Sequence, residues 1–366
     1  MIRDLNSSAP PRPGEELDAA RLAEYLHGAL AGDGAIEIEQ FPSGHSNLTY
    51  LVRRGGLVRR ESEEWVLRRP PFGSKVKSAH DMGREYRVLS RLSKVYPPAP
   101  EPILYCEDES VLGAPFYLMR RLHGMVLRRK WPESITGDPA LSRRICEAFI
   151  DNLAALHAVD AEAAGLGDFG RPQGYVRRQV EGWSKRWTDA RTEDIPDMDS
   201  TAAWLGANMP PDGGAAIIHN DYKFDNVLLD PDDPTRVTGV LDWEMATLGD
   251  PLMDFGTALS YWIDASDPAE FRALAFSPTW MPGFLDRRGV VERYEQATGR
   301  SVAHPIFYYS YGLFKLAVIL QQIYYRYFHG LTKDERFGEF RFTVRKLARQ
   351  AAASIAAQSL QPGQWR

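Results

Sequence analysis

Near residue 122 the chain changes its periodicity, and no other feature restricts its fold as much. Five short runs of strand character come first, at 36–41, 48–53, 65–69, 103–107 and 115–119, separated by turns rich in Gly, Pro or charge. From Leu141 onward apolar residues recur at helical spacing instead, over 141–159, 175–188, 200–207, 253–263, 289–298, 305–328 and 336–358. Two helices accompany the strands. One spans 17–30, where Leu17, Leu22, Leu26 and Leu30 form a stripe that Gly32 and Gly34 end; the other spans 80–95, with Ser78 as the expected cap and Pro97-Pro98 as the stop. The order predicts a five-stranded antiparallel sheet with a helix packed on it. The expected class is α+β and bilobal, with a small sheet-rich lobe over 1–122 and a larger, mainly helical lobe over 123–366.

The 366 residues exceed one usual hydrophobic core, which fits two lobes around one cleft. Hydrophobic content of 44% and charged content of 25% are globular values, and a net charge of −5 sets up no field for nucleic acid. The apolar run 306–328 is interrupted by Lys315, Gln321, Gln322 and Arg326, which are costly in hydrocarbon, so it reads as a buried helix. Cys106 and Cys146 have neither metal nor redox spacing and are expected to be reduced core residues. Residues 1–14 lack the basic-then-apolar pattern of a signal peptide; they read as a flexible arm, and the expected location is the cytoplasm.

The chemistry concentrates in the segment 217–230, where a polar loop joins two short apolar runs. A strand over 226–230 and another over 237–242, turning about Pro234, would set Asn226 opposite Asp242 with Cβ atoms roughly 5 Å apart. An amide oxygen and a carboxylate at that spacing suit a hard cation such as magnesium. Asp221, five residues before Asn226, is then free to accept a hydroxyl proton, and Lys223 offers a positive charge. An oriented nucleophile, cations on phosphate oxygens and a positive partner are what phosphoryl transfer requires.

The pattern His219-x-Asp221-x-Lys223-x-x-Asn226 resembles the catalytic loop of the aminoglycoside phosphotransferase and choline kinase families, which share the protein-kinase-like fold. Leu241-Asp242-Trp243-Glu244 and Leu248-Gly249-Asp250-Pro251-x-x-Asp254 resemble the metal-binding strand end and following turn of the same families. The resemblance implies Asp221 as base, Asn226 and Asp242 as magnesium ligands, His219 as an anchor of the loop, Asp250 and Asp254 as braces beneath it, and ATP as the phosphoryl donor. Ser43-Gly44-His45-Ser46-Asn47, between two strands, is the expected cover of the nucleotide phosphates. Arg68 stands where the third-strand lysine is expected, with Glu85 as its partner. Met119 belongs to the strand whose backbone would meet the adenine edge.

The wording of Gly44-His45-Ser46-Asn47-Leu48-Thr49-Tyr50, of Trp65 to Pro71 and of Met82-Gly83-Arg84-Glu85-Tyr86 is similar to the kinase-like domain associated with acyl-CoA dehydrogenases. That resemblance implies a small hydroxylated acceptor of acyl-CoA type; from the charge and composition, neither nucleic acid nor membrane is expected as a partner. The acceptor is expected against the helical lobe, near Tyr175, Arg178, Trp183, Arg186 and Trp187 or near Tyr308, Tyr309, Phe314 and Gln321. An aminoglycoside would need an acidic pocket, and the sequence shows no acidic cluster of that kind. No dinucleotide fingerprint supports dehydrogenase activity. Two rival readings stand beside this one: a nucleotide-binding pseudokinase, for which Arg68 argues, and a metallohydrolase using His219, Asp221, Asp225 and Asp242.

Overall fold

The computed structural model describes residues 8–32, 34–41, 47–55, 63–72, 81–129, 131–132, 135, 137–275 and 277–365. Contacts divide the chain into two compact units, Met1–Val126 with Leu228–Ala246, and Leu127–Val227 with Thr247–Arg366. The division differs from a single cut after residue 122, because the segment Leu228–Ala246 groups with the first unit.

In that unit β1 (Ala35–Gln40), β2 (Leu48–Gly55), β3 (Glu63–Arg69), β4 (Pro102–Cys106) and β5 (Phe116–Arg120) form one antiparallel sheet in the order β1-β2-β3-β5-β4. Period-two alternation decides what each face carries. Trp65 and Leu67 of β3 join Tyr50, Val52, Phe116 and Leu118 in a core closed by Leu22 and Leu26 from the helix Ala19–Ala29. Burying each leucine contributes about 1.5–3 kcal/mol. Arg68, one step along β3, therefore takes the opposite face, where it is buried. The helix Met82–Leu92 is capped by Asp81, which accepts the Arg84 N–H, and it carries Glu85 into the interior. Ser78, the cap expected from the sequence, lies outside the described residues.

Part of the expected arm is tied down: Ala9 bridges Gln40 at the end of β1, and the Ser8 hydroxyl donates to Glu39. The remainder, 1–7, lies outside the described residues.

The segment Leu228–Ala246 is held in the first unit by backbone. Met125 bridges Leu229, and the Val240 N–H donates to the Pro98 carbonyl at 2.7 Å. Gly239 packs closely beside this bond: a Cβ there would stand 2.6 Å from Leu122 Cδ1, so a larger residue would displace the end of that side chain. The strands Val227–Leu229 and Val237–Val240 are shorter than expected, and the turn is tighter. Asp230 donates its N–H to the Arg236 carbonyl at 2.9 Å, so the hairpin centres on Asp233 rather than Pro234. The cause is local: Asp230 Oδ1 accepts the Asp232 and Asp233 N–H groups, and its carboxylate pairs with Arg236. Neither Asn226 nor Asp242 is a ladder residue. Asn226 closes the 3-10 turn Phe224–Asn226, and Asp242 has a left-handed φ of 69°.

The second unit is mainly helical, with one small ladder between Ala216–Ile218 and Thr247–Gly249. Its central helix, Pro305–Phe328, has the bounds that the sequence predicts and meets Pro251–Ser260 through two glycines. A Cβ on Gly256 would stand 2.4 Å from the Tyr308 carbonyl oxygen, and one on Gly312 would stand 2.3 Å from the Gly256 oxygen. Lys315 and Gln321 are buried in that helix with hydrogen-bond partners. Among the described residues, no helix is long and apolar enough to cross a membrane. Cys106 and Cys146 are buried free thiols.

Candidate active site

The strand Ala216–Ile218 runs into a loop whose backbone is fixed by one carboxylate. Asp254, in the first turn of Pro251–Ser260, accepts the N–H of His219 at 2.8 Å and of Asn220 at 2.7 Å. His157 Nε2 lies 3.1 Å from the same carboxylate, and its Nδ1 meets the Tyr294 hydroxyl at 2.7 Å. Burial would raise the Asp254 carboxyl, but His157 and the His219 N–H hold it below the usual carboxylate range. Asp250 has a different task. It caps the helix at Leu252 and Met253 and accepts the Gly213 N–H.

Beyond Asn220 the loop alternates inward and outward. The Tyr222 hydroxyl donates to the Phe149 carbonyl at 2.9 Å, and Phe224 stacks on the Phe149 ring at 4.1 Å. Asp221 and Lys223, between and before these anchors, keep side chains 17% and 23% exposed. Asp221 Oδ1 accepts the Tyr261 hydroxyl at 2.7 Å; Oδ2 accepts Lys223 Nζ at 2.7 Å and Asn226 Nδ2 at 3.1 Å. Asn226 Nδ2 also reaches the Asp221 carbonyl at 2.9 Å, which commits the nitrogen end of the amide and leaves Oδ1 as its acceptor atom. His219 is fully buried, and its Nδ1 accepts the Asp221 N–H at 3.2 Å.

The first unit gathers a second set of charges around Arg68. Its Nη2 lies 2.9 Å from Asp242 Oδ1 and 3.7 Å from Glu244 Oε2, and its Nε lies 3.4 Å from Glu85 Oε2. Burial works against the Arg68 charge, yet the surrounding acids raise its pKa well above the usual value. Burial likewise pushes the Glu85 carboxyl up, and Arg68 offsets part of that. Asn47 is buried, with its amide donating to Glu244 Oε2 at 2.7 Å. Met119 lies inside the ladder, opposite Val66 and Pro102, and the chain leaves the sheet after Arg120. Ser43, Gly44, His45 and Ser46 lie outside the described residues.

Asp221, Lys223 and Asn226 thus meet within the second unit; Asn47, Arg68, Glu85 and Asp242 meet within the first, linked through Arg68 and Glu244. Sequence reasoning missed Tyr261 and the pairing role of Glu244. The Leu-Asp-Trp-Glu run marked Glu244, whereas nothing local marks Tyr261, 40 residues from Asp221. The aromatics proposed to line an acceptor surface, Tyr175, Trp183, Trp187, Tyr308, Tyr309 and Phe314, are all buried. They serve first as core. Among the described residues no group of three His, Cys, Asp or Glu side chains is gathered as a metal set.

The profile of the phosphotransferase enzyme family matches residues 37–288. The chain belongs to that family. A Ralstonia eutropha protein named as a candidate aminoglycoside phosphotransferase has a crystal structure similar to this chain, with a TM-score of 0.76 and 34% identity over 92% of this chain and 98% of that one. Choline kinase from Cryptosporidium parvum is similar in fold, with a TM-score of 0.62 and 14% identity over 93% of this chain and 97% of that one. These neighbours establish the protein-kinase-like α+β fold. Acyl-CoA dehydrogenase family member 11 of Gallus gallus is 34% identical over 351 residues, covering 92% of this chain and 43% of that relative. The chain therefore spans under half the length of the curated relative it matches.

Proposed function

We propose that this phosphotransferase moves the γ-phosphoryl group of magnesium-bound ATP to a hydroxyl of a small molecule, and that the acceptor is a hydroxyacyl-CoA. The observation that carries the reading is the Asp221 carboxylate, held by Tyr261, Lys223 and Asn226 while its side chain still reaches the surface. A carboxylate offers about four acceptor positions, so three protein donors leave room for one acceptor hydroxyl. Asp221 takes that proton as the acceptor oxygen bonds to the γ-phosphorus, and the bond from that phosphorus to the bridging oxygen breaks to release ADP. Lys223, on the same carboxylate, meets the charge that develops.

The residues present fit magnesium in kind, since Asn226 Oδ1 and the Asp242 carboxylate are hard oxygen donors and the Asp242 side chain is 36% exposed. Magnesium, when bound, neutralises charge on the phosphate oxygens. Arg68 is the partner for the nucleotide phosphates, and Glu85 is the carboxylate that pairs with Arg68. The acyl-CoA part of the proposal is supported by the name of the Gallus gallus relative.

A second reading has its own support: Arg68 already occupies Asp242 Oδ1, as expected of a chain that binds nucleotide and transfers nothing. Thermal midpoints with ATP, with and without magnesium, followed by ATP consumption over hydroxyacyl-CoAs, aminoglycosides, choline and sugars, decide between them. The proposal expects a magnesium-dependent rise and consumption with hydroxyacyl-CoA. No magnesium-dependent binding sinks it; binding without consumption favours the second reading; consumption with another class removes only the acyl-CoA acceptor.

A further inference from the structure

Asn220 holds a backbone φ of 66°, in the left-handed region that asparagine adopts more readily than other non-glycine residues, immediately before Asp221. Its carbonyl oxygen belongs to the peptide plane that ends at the Asp221 nitrogen, so the tilt of that plane sets where the Asp221 side chain emerges. Both edges of the plane are pinned. The Asp221 N–H donates to His219 Nδ1, and the Asn220 carbonyl accepts Lys315 Nζ at 2.9 Å from the central helix of the second unit. Lys315 Nζ also lies 3.4 Å from Asn220 Oδ1, which accepts the Tyr175 hydroxyl at 3.3 Å.

We propose that Lys315 is a positioning residue for the Asp221 carboxylate, holding the Asn220–Asp221 peptide plane from behind the loop with a buried ammonium. The inference rests on the reading of Asp221 as the base. A lysine 2% exposed is an expensive way to satisfy one carbonyl, and a neutral donor would suffice if packing were the only need. What the ammonium adds is a charge-assisted bond to that carbonyl. Burial lowers the Lys315 pKa to about 8; Asp254 and Asp221 oppose the shift, while Lys223 and Arg186 add to it. The Trp183 ring lies 5.9 Å from Nζ, and the Tyr175 hydroxyl shares Asn220 Oδ1. The loop is thus pinned by a charge that titrates just above neutrality.

Two measurements test this, one needing no variant. In the wild type, the backbone amide shift of Asp221 is followed by nuclear magnetic resonance together with the side-chain carbon signal of Lys315. The two are expected to titrate with one midpoint, near pH 8. In Lys315→Met the Asp221 amide loses that titration, and hydrolysis of magnesium-ATP with water as acceptor falls roughly 10- to 100-fold in kcat, the scale of a displaced catalytic group, with KM for ATP unchanged. The alkaline limb of the wild-type rate profile disappears in the variant. A wild-type Asp221 amide that does not follow Lys315, or one unmoved by Lys315→Met, overturns the positioning role. Absence of wild-type turnover both with water and with every acceptor class overturns the functional reading instead, and the amide titration still decides the role of Lys315.

Discussion

Arg68 and Asp242 are 174 residues apart in sequence, and their side chains meet at 2.9 Å on the face of the first unit's sheet opposite its apolar core. The same guanidinium lies 3.4 Å from Glu85, whose side chain is 2% exposed. Removing Arg68 strands that carboxylate. Arg68→Met is expected to lower stability by about 3–5 kcal/mol in urea unfolding, the usual cost of breaking a buried pair, and Arg68→Lys to lose much less. An Arg68→Met protein as stable as the wild type contradicts the ion-pair geometry.

Asp242 is expected to matter to nucleotide binding more than to the fold, because its side chain is 36% exposed and its left-handed turn is held by the buried Trp243. Trp243 Nε1 donates to the Val240 carbonyl at 2.8 Å. Asp242→Ala should therefore unfold near the wild-type midpoint without ligand. It should also lose the stabilisation from magnesium-ATP, worth about 2.7 kcal/mol at a hundredfold excess over Kd. Differential scanning fluorimetry with and without magnesium reads both.

Tyr261 donates the one hydrogen bond to Asp221 Oδ1 that a single-atom change removes cleanly. Tyr261→Phe is expected to cut kcat about tenfold, the equivalent of about 1.4 kcal/mol, with little change in KM for ATP. Steady-state kinetics show it. An unchanged kcat would mean that the orientation of Asp221 does not depend on this hydroxyl.

The pH dependence of stability carries a sign specific to Lys315. Burial lowers its pKa from 10.5 to about 8. Below about pH 8 folded and unfolded chains both hold the proton, and the fold bears the full cost of a buried charge. Between about 8 and 10.5 the unfolded chain keeps a proton that the folded chain has released, so this group makes stability rise with pH. The wild type should gain stability relative to Lys315→Met across that window, as read from urea midpoints, while its turnover falls.

Local signals made much of the molecule legible. The glycines after Leu30, the prolines at 97 and 98 and the helical stripes placed the helices within a few residues, and the loop over 219–226 stood out because its polar letters interrupt two apolar strands. What sequence spacing misplaced was the hairpin: the aspartates at 230 and 233 close the turn with their own side chains, so the register tightens and the strands stop before Asn226 and Asp242. What it could not reach were contacts made by packing alone. Tyr261 arrives at the loop from a helix end 40 residues away and Lys315 from a helix 95 residues away, and Leu228–Ala246 joins the first unit through backbone bonds to Met125 and Pro98. No local periodicity encodes such distances.

The central claim is that Asp221 serves transfer rather than structure. The most direct measurement compares wild type with Asp221→Asn for transfer of labelled γ-phosphate from magnesium-ATP to hydroxyacyl-CoA, alongside magnesium-ATP binding by each. The account predicts transfer by the wild type, a loss of at least about a hundredfold in Asp221→Asn, and similar nucleotide binding in both, since general-base contributions run to about 100–10,000-fold. Equal transfer by the two proteins, or none to any hydroxylated acceptor by a wild type that binds magnesium-ATP, would contradict it.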